Sequence, residues 1–169
     1  LFYLMSLFYG RVFIAGEYEF SRNMSMVHMM RMMKKGERKI YVVKIIEGTD
    51  LLDVASMLEK NLGVKKEDFL RLAKDRYFLS MLNIPSCSIE GYLAPDTYYY
   101  SREISLSELI EKIVHRRIRY FENKTLKERM AELGLDIHRT LTLASLIEKE
   151  AKLEEEKPVI SAVFHNRLK

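Results

Sequence analysis

Two of the chain's three prolines, Pro85 and Pro95, fall within residues 83–96 with Gly91 between them, and no other feature constrains the division of the polypeptide as strongly. Proline lacks an amide donor and pushes its predecessor out of helical geometry, so long helices are confined to either side of that stretch. The expected organisation is a small strand-helix module at residues 1–83 followed by a mostly helical unit at 84–169, an α+β class.

Within the first unit a faint internal repeat sets residues 20–33 against 45–58, each copy reading as strand, turn and helix. In the second copy Ile40, Tyr41, Val42, Val43, Ile45 and Ile46 form a β-branched and aromatic run closed by Glu47-Gly48. Asp50 then offers an N-cap, and Leu51, Val54, Ala55 and Leu58 recur at helical spacing. The first copy uses Ser25 as its cap and Met26, Met29, Met30 and Met33 as its apolar stripe, a packing face rather than a metal site. Short helices are expected at residues 66–75 and 77–82, and longer ones at 105–121, 125–133, 140–152 and 158–168. The apolar opening, residues 1–9, is too short to span a bilayer and is read as a buried helix.

Composition removes several function classes. With 48% hydrophobic and 31% charged residues the chain is an ordinary folding sequence. Its surplus of +4 is dispersed, which argues against nucleic-acid binding. Cys87 stands alone, so no internal disulfide forms, and His28, His115, His138 and His165 lack metal-ligand spacing. Neither a metal nor a cofactor is expected.

Chemistry concentrates in the helix expected at 140–152, where Glu148 and Glu150 interrupt an otherwise apolar or small-residue segment. At ~100° per residue the two carboxylates point roughly 200° apart, so one compact site cannot use both. Glu150 shares its sector with Leu143, Leu146 and Ile147, whereas Glu148 falls beside Ala144, Ser145 and Lys149. Apolar surroundings favour the protonated form that a general acid needs, which makes Glu150 the better candidate. The alternative is a structural pairing of Glu150 with Arg167 or Arg139. A second cluster, Glu90-Gly91-Tyr92 through Pro95-Asp96 to Tyr98, Tyr99 and Tyr100, offers rings and hydroxyls that suit sugars, and equally suits a core.

Taken in order, these segments resemble the YceG-like family of endolytic murein transglycosylases over nearly the whole chain. The markers are Ala15-Gly16-Glu17-Tyr18-Glu19-Phe20, Ile46-Glu47-Gly48, Glu90-Gly91-Tyr92 with Pro95-Asp96-Thr97-Tyr98, Ala144-Ser145-Leu146-Ile147-Glu148-Lys149-Glu150-Ala151, and Val163-Phe164-His165-Asn166-Arg167-Leu168. The resemblance implies a LysM-like module at 1–83 and the first part of a catalytic domain at 84–169. It implies Glu150 as the catalytic residue, with Glu148, Glu90, Tyr92, Asp96, Tyr98, Asn166 and Arg167 binding substrate or supporting the site. It also implies cleavage of the bond between N-acetylmuramic acid and N-acetylglucosamine without water, leaving a 1,6-anhydro end. The implied partners are peptidoglycan glycan strands and peptidoglycan synthases. The implied location is the inner membrane, through an N-terminal anchor outside this chain, with the catalytic part on the extracytoplasmic side. Two departures stand against the family pattern. Ala94 replaces a common aromatic residue, and the chain stops at Lys169 where the family continues with further cleft-forming segments, so weak or no cleavage is expected of these residues alone. The competing reading is a non-catalytic peptidoglycan-binding or scaffolding module, which would leave no anhydro ends.

Overall fold

The computed structural model describes residues 13–168, so the helix expected at residues 1–9 lies outside the described part. Helix α1, Met26–Lys35, begins where the Ser25 hydroxyl accepts the His28 N–H at 3.3 Å and ends at Gly36, whose φ of 70° suits glycine. The strand expected before it does not form. The Glu17 amide is instead taken by the Glu103 carboxylate at 2.8 Å, and a side chain at Gly16 would meet that same carboxylate at 2.7 Å. Backbone groups engaged in this way are not free for a ladder.

The second copy of the repeat forms as expected. Strand β1, Tyr41–Ile45, buries Val43 and Ile45 and is followed by helix α2, Leu51–Leu62. The Asp50 carboxylate caps α2 by accepting the Asp53 N–H at 2.8 Å. Leu51, Val54, Ala55, Leu58 and Leu62 then face the core at helical spacing. Two short helices follow, α3 at Lys66–Leu72 and α4 at Arg76–Met81, the latter capped by Asp75.

A strand that the aromatic reading overlooked comes next. Strand β2, Asp96–Tyr100, pairs antiparallel with β1 in the register Tyr41 to Tyr100, Val43 to Tyr98 and Ile45 to Asp96. This ladder joins residues on either side of the expected 83/84 division. Helix α5, Leu106–Tyr120, starts at a capping box in which Ser105 and Glu108 satisfy each other's amides, and it buries Leu109, Ile110, Ile113 and Val114. These side chains belong to the same apolar cluster as Val54, Leu58, Phe69 and Phe78, with Ile84, Ile89 and Tyr92 contributed by the proline-bearing stretch itself.

Three further helices complete the described chain: α6 at Lys124–Glu132, α7 at Ile137–Glu150 and α8 at Lys157–Arg167, with a short 3₁₀ turn at Glu154–Glu156 before the last. Helix α7 starts earlier than the periodicity suggested because Asp136 accepts the Arg139 N–H at 2.7 Å and acts as its cap. It ends at Glu150, since Ala151 adopts an extended conformation with φ −74° and ψ 126°. Among the described residues no helix is long and apolar enough to cross a membrane.

If one core carries both parts, Ile110→Ala should destabilise the whole by about 2–5 kcal/mol, the usual cost of emptying a buried aliphatic site. Ile110 is 0% exposed. Tyr99→Ala, at a position 71% exposed on the same sheet, should cost no more than about 1 kcal/mol. Denaturant melts followed by tyrosine fluorescence and by far-ultraviolet dichroism should coincide; separate transitions for the two signals would contradict a shared core.

Candidate active site

Helix α7 stands between two clefts. The first, of about 700 Å³, lies between the β1–α2 turn (Glu47, Gly48, Thr49), Glu90-Gly91, and the α7 face that carries His138, Thr142, Ser145, Glu148 and Lys149. Arg117 and Lys157 complete its wall. The second, of about 710 Å³, is lined by Leu133, Leu135, Arg139, Leu143 and Leu146, and by Phe164, His165 and Arg167 of α8. The sector that holds Leu143 and Leu146 is the one that helical geometry assigns to Glu150, which sets the two carboxylates on opposite sides of the helix.

Glu148 is committed in the first cleft. It lies 2.8 Å from Lys157 Nζ, and the same ammonium contacts Glu154 at 2.6 Å. Glu148 first, and then Glu154, push the Lys157 pKa above the ordinary lysine range, so the cation persists across the neutral and moderately alkaline region.

Glu150 is placed differently from the expectation of apolar burial. It is exposed at the last position of α7, and Leu146, one turn earlier, is 44% exposed. The reason is where the helix packs. Ile137 and Leu141 in its first half rest on the core, while the final turn projects past it. The structural pairing also fails to form: Arg139 bonds to Asp136, and among the described residues Glu150 has no ion pair with Arg167 or any other cation. Neighbouring hydroxyls are not free nucleophiles, because Ser145 donates to the Thr142 carbonyl and Thr142 to that of His138, each at 2.8 Å.

The other expected site residues separate by burial. Tyr92 is only 2% exposed and stacks on His138 with ring centroids 6.1 Å apart, so it supports the first turn of α7 and presents no open face. Burial first, and then nearby Asp136, raise its phenol pKa. Tyr98 donates to the Ala94 carbonyl at 2.8 Å and Tyr100 to that of Ile104 at 2.6 Å, so both hydroxyls hold backbone, while Tyr99 stays exposed. Asp96 pairs with Arg116 and accepts the Thr97 N–H. Glu90 is exposed and lines the first cleft, whereas Asn166 and Arg167 are exposed near the end of α8, with Arg167 lining the second cleft.

Four residues escaped the sequence reading. His138 lines both clefts, and Arg117 is half-buried, donating to the Leu93 carbonyl at 3.2 Å, with burial lowering its pKa. Lys157 and Glu156 hold the connection after α7. No periodicity links these positions to Glu150; only the Asp136 cap, which draws His138 into the helix, left a readable signal.

Chemically, the arrangement offers an unpaired Glu150 carboxyl in the sector of Leu146, while Glu148 on the other face is neutralised by Lys157 in a cleft that Glu47 and Glu90 also line.

The comparisons with known proteins agree in direction. The YceG-like family model matches residues 1–169. An endolytic murein transglycosylase of Bacillus subtilis is 28% identical over 174 residues, covering 93% of this chain and 48% of that protein. One from Streptococcus pneumoniae is 27% identical over 182 residues, covering 91% of this chain and 32% of its own length. The chain thus spans about half of the first relative and a third of the second. A crystal structure of a YceG-like protein from Listeria monocytogenes superimposes with a TM-score of 0.68 over 99% of this chain and 60% of that one, at 24% identity, and shows the same fold. Because the family match runs from the first residue to the last, the chain belongs to the YceG-like family.

Proposed function

We propose that this chain takes part in the endolytic, non-hydrolytic cleavage of peptidoglycan glycan strands, with Glu150 as the single acid and base. The observation that carries the reading is the separation of the two glutamates: Glu148 is tied to Lys157, while Glu150 stands unpaired at the end of α7, one turn beyond Leu146 at the edge of the second cleft. The names of the Bacillus and Streptococcus relatives supply the substrate class.

In this mechanism the Glu150 carboxyl gives its proton to the glycosidic oxygen as the bond from that oxygen to the muramic C1 breaks. The C6 hydroxyl of the same muramic sugar then bonds to C1, and its proton passes to the Glu150 carboxylate. The products are a free N-acetylglucosamine hydroxyl and a 1,6-anhydro ring, and the enzyme is restored without water. One carboxyl is enough because the nucleophile belongs to the substrate. Arg167 and Leu146 would hold the strand by charge-assisted hydrogen bonds and apolar contact. A LysM-like module at residues 1–83, a catalytic portion at 84–169, an extracytoplasmic site of action beside a membrane anchor and cooperation with peptidoglycan synthases complete the proposal.

Glu150→Gln in the full-length protein should lower cleavage of purified glycan strands on the order of 10²–10⁴-fold while leaving the melting temperature unchanged, because the amide keeps the shape but cannot shuttle a proton. Glu148→Gln should be milder, acting through its bond to Lys157. Equal and complete loss from both, with unchanged melting temperatures, contradicts the division of roles. Glycan retained but left uncut by the wild-type protein would favour the non-catalytic reading.

Arg167→Ala tests the cleft assignment. Since Arg167 is exposed and holds no ion pair among the described residues, the substitution should leave the melting temperature unchanged and raise KM. A clear fall in melting temperature would make Arg167 structural instead.

A further inference from the structure

The connection that leaves Glu150 is held by side chains the proposed reaction does not use. Helix α7 stops at Glu150, and the Ala151 N–H still reaches the Ile147 carbonyl at 2.9 Å. The next two amides, of Lys152 and Leu153, both donate to Glu156 Oε2, at 2.9 and 3.2 Å. Lys157 then joins three elements through one ammonium: Glu148 on α7 at 2.8 Å, Glu154 in the 3₁₀ turn at 2.6 Å, and its own place at the start of α8.

Helix ends fray, and Glu150 is the terminal residue of α7. Without restraint its carboxylate would sweep a broad arc. The restraints found bracket it on both sides, through Glu148 two residues before and through the amides two and three residues after. We propose that Glu156 and Lys157 form a clasp that positions Glu150 for proton transfer, acting through the backbone of residues 151–153 and through Glu148. The inference rests on the assignment of Glu150 as the acid. On the proposed mechanism the strand lies against Leu146 and Arg167 in the second cleft, which neither residue of the clasp lines, so both are positioning residues. Displacing a catalytic group by ~1 Å can cost ~10²-fold, and the loss falls on the chemical step, which makes kcat rather than KM the parameter that responds.

The test compares Lys157→Met, Lys157→Arg, Glu156→Ala and Glu156→Gln in the full-length protein, with Glu150→Gln alongside. Cleavage of purified glycan strands gives kcat and KM, amide exchange of Lys152 and Leu153 reports the clasp itself, and melting temperature reports the fold. Lys157→Met and Glu156→Ala should speed exchange at those amides and lower kcat by about ten- to a hundredfold, with KM and melting temperature near wild type. Lys157→Arg keeps the charge and Glu156→Gln keeps an acceptor oxygen, so both should recover most of kcat. Faster exchange with unchanged kcat, or no recovery by the conservative variants, overturns the clasp. Full activity in Glu150→Gln instead sinks the assignment of the acid, while an inactive Glu150→Gln beside a fully active Lys157→Met sinks the clasp alone.

Discussion

The seating of helix α7 governs the rest of the site. Asp136 caps its first turn, His138 stacks on the buried Tyr92, and Ile137 and Leu141 rest on the core formed by α2, α3 and α5. One half of the helix is therefore anchored and the other half projects. A charge at the core-facing positions Ile137 or Leu141 would carry a desolvation penalty of several kcal/mol, whereas the projecting turn accommodates Glu148, Lys149 and Glu150 in contact with solvent. Core packing thus delivers a carboxylate to an accessible edge without burying it.

From that seating the division of labour follows by rotation. A helix turning ~100° per residue cannot direct positions 148 and 150 to the same cleft, and here they lie on opposite sides, one beside Lys157 and the other in the sector of Leu146. On the proposed mechanism a glycan laid across Leu146 and Arg167 would itself exclude water from Glu150. The chain's contribution would then be position and an unpaired carboxyl, with the dry environment completed by substrate.

Much of this was legible because short-range signals carry it. Ser25 and Asp50 each accept an amide three residues on and were readable as caps, whereas Asp75, Ser105 and Asp136 do the same without having been read so, which set the expected start of α7 too late. The β-branched run at 40–46 and the stripe Leu51, Val54, Ala55, Leu58 declared β1 and α2 in the same local way. Strand β2 was harder, since its Tyr98-Tyr99-Tyr100 reads equally as an aromatic platform, and only pairing with β1 fixes it as a strand. That pairing is a long-range contact with no local mark, as is the sharing of one apolar cluster by α5 and α2 across the proline-bearing stretch. For Glu150 the projection identified the right sector but not its exposure, because exposure depends on where the helix leaves the core. The bridge from Glu148 to Lys157 was invisible for the same reason: a chain reversal separates them.

The central claim is that one carboxyl and the substrate's own hydroxyl complete the reaction, and isotopically heavy water tests it most directly. Purified glycan strands would be digested by the full-length protein in water enriched in heavy oxygen, and the new muramic-acid ends read by mass spectrometry. A single-carboxyl reaction leaves ends lighter than a hydrolysis product by one water and free of the label, the mark of a 1,6-anhydro ring closed by the muramic C6 hydroxyl. Ends that carry the heavy oxygen would show attack by water, and would contradict a single-carboxyl transglycosylase centred on Glu150.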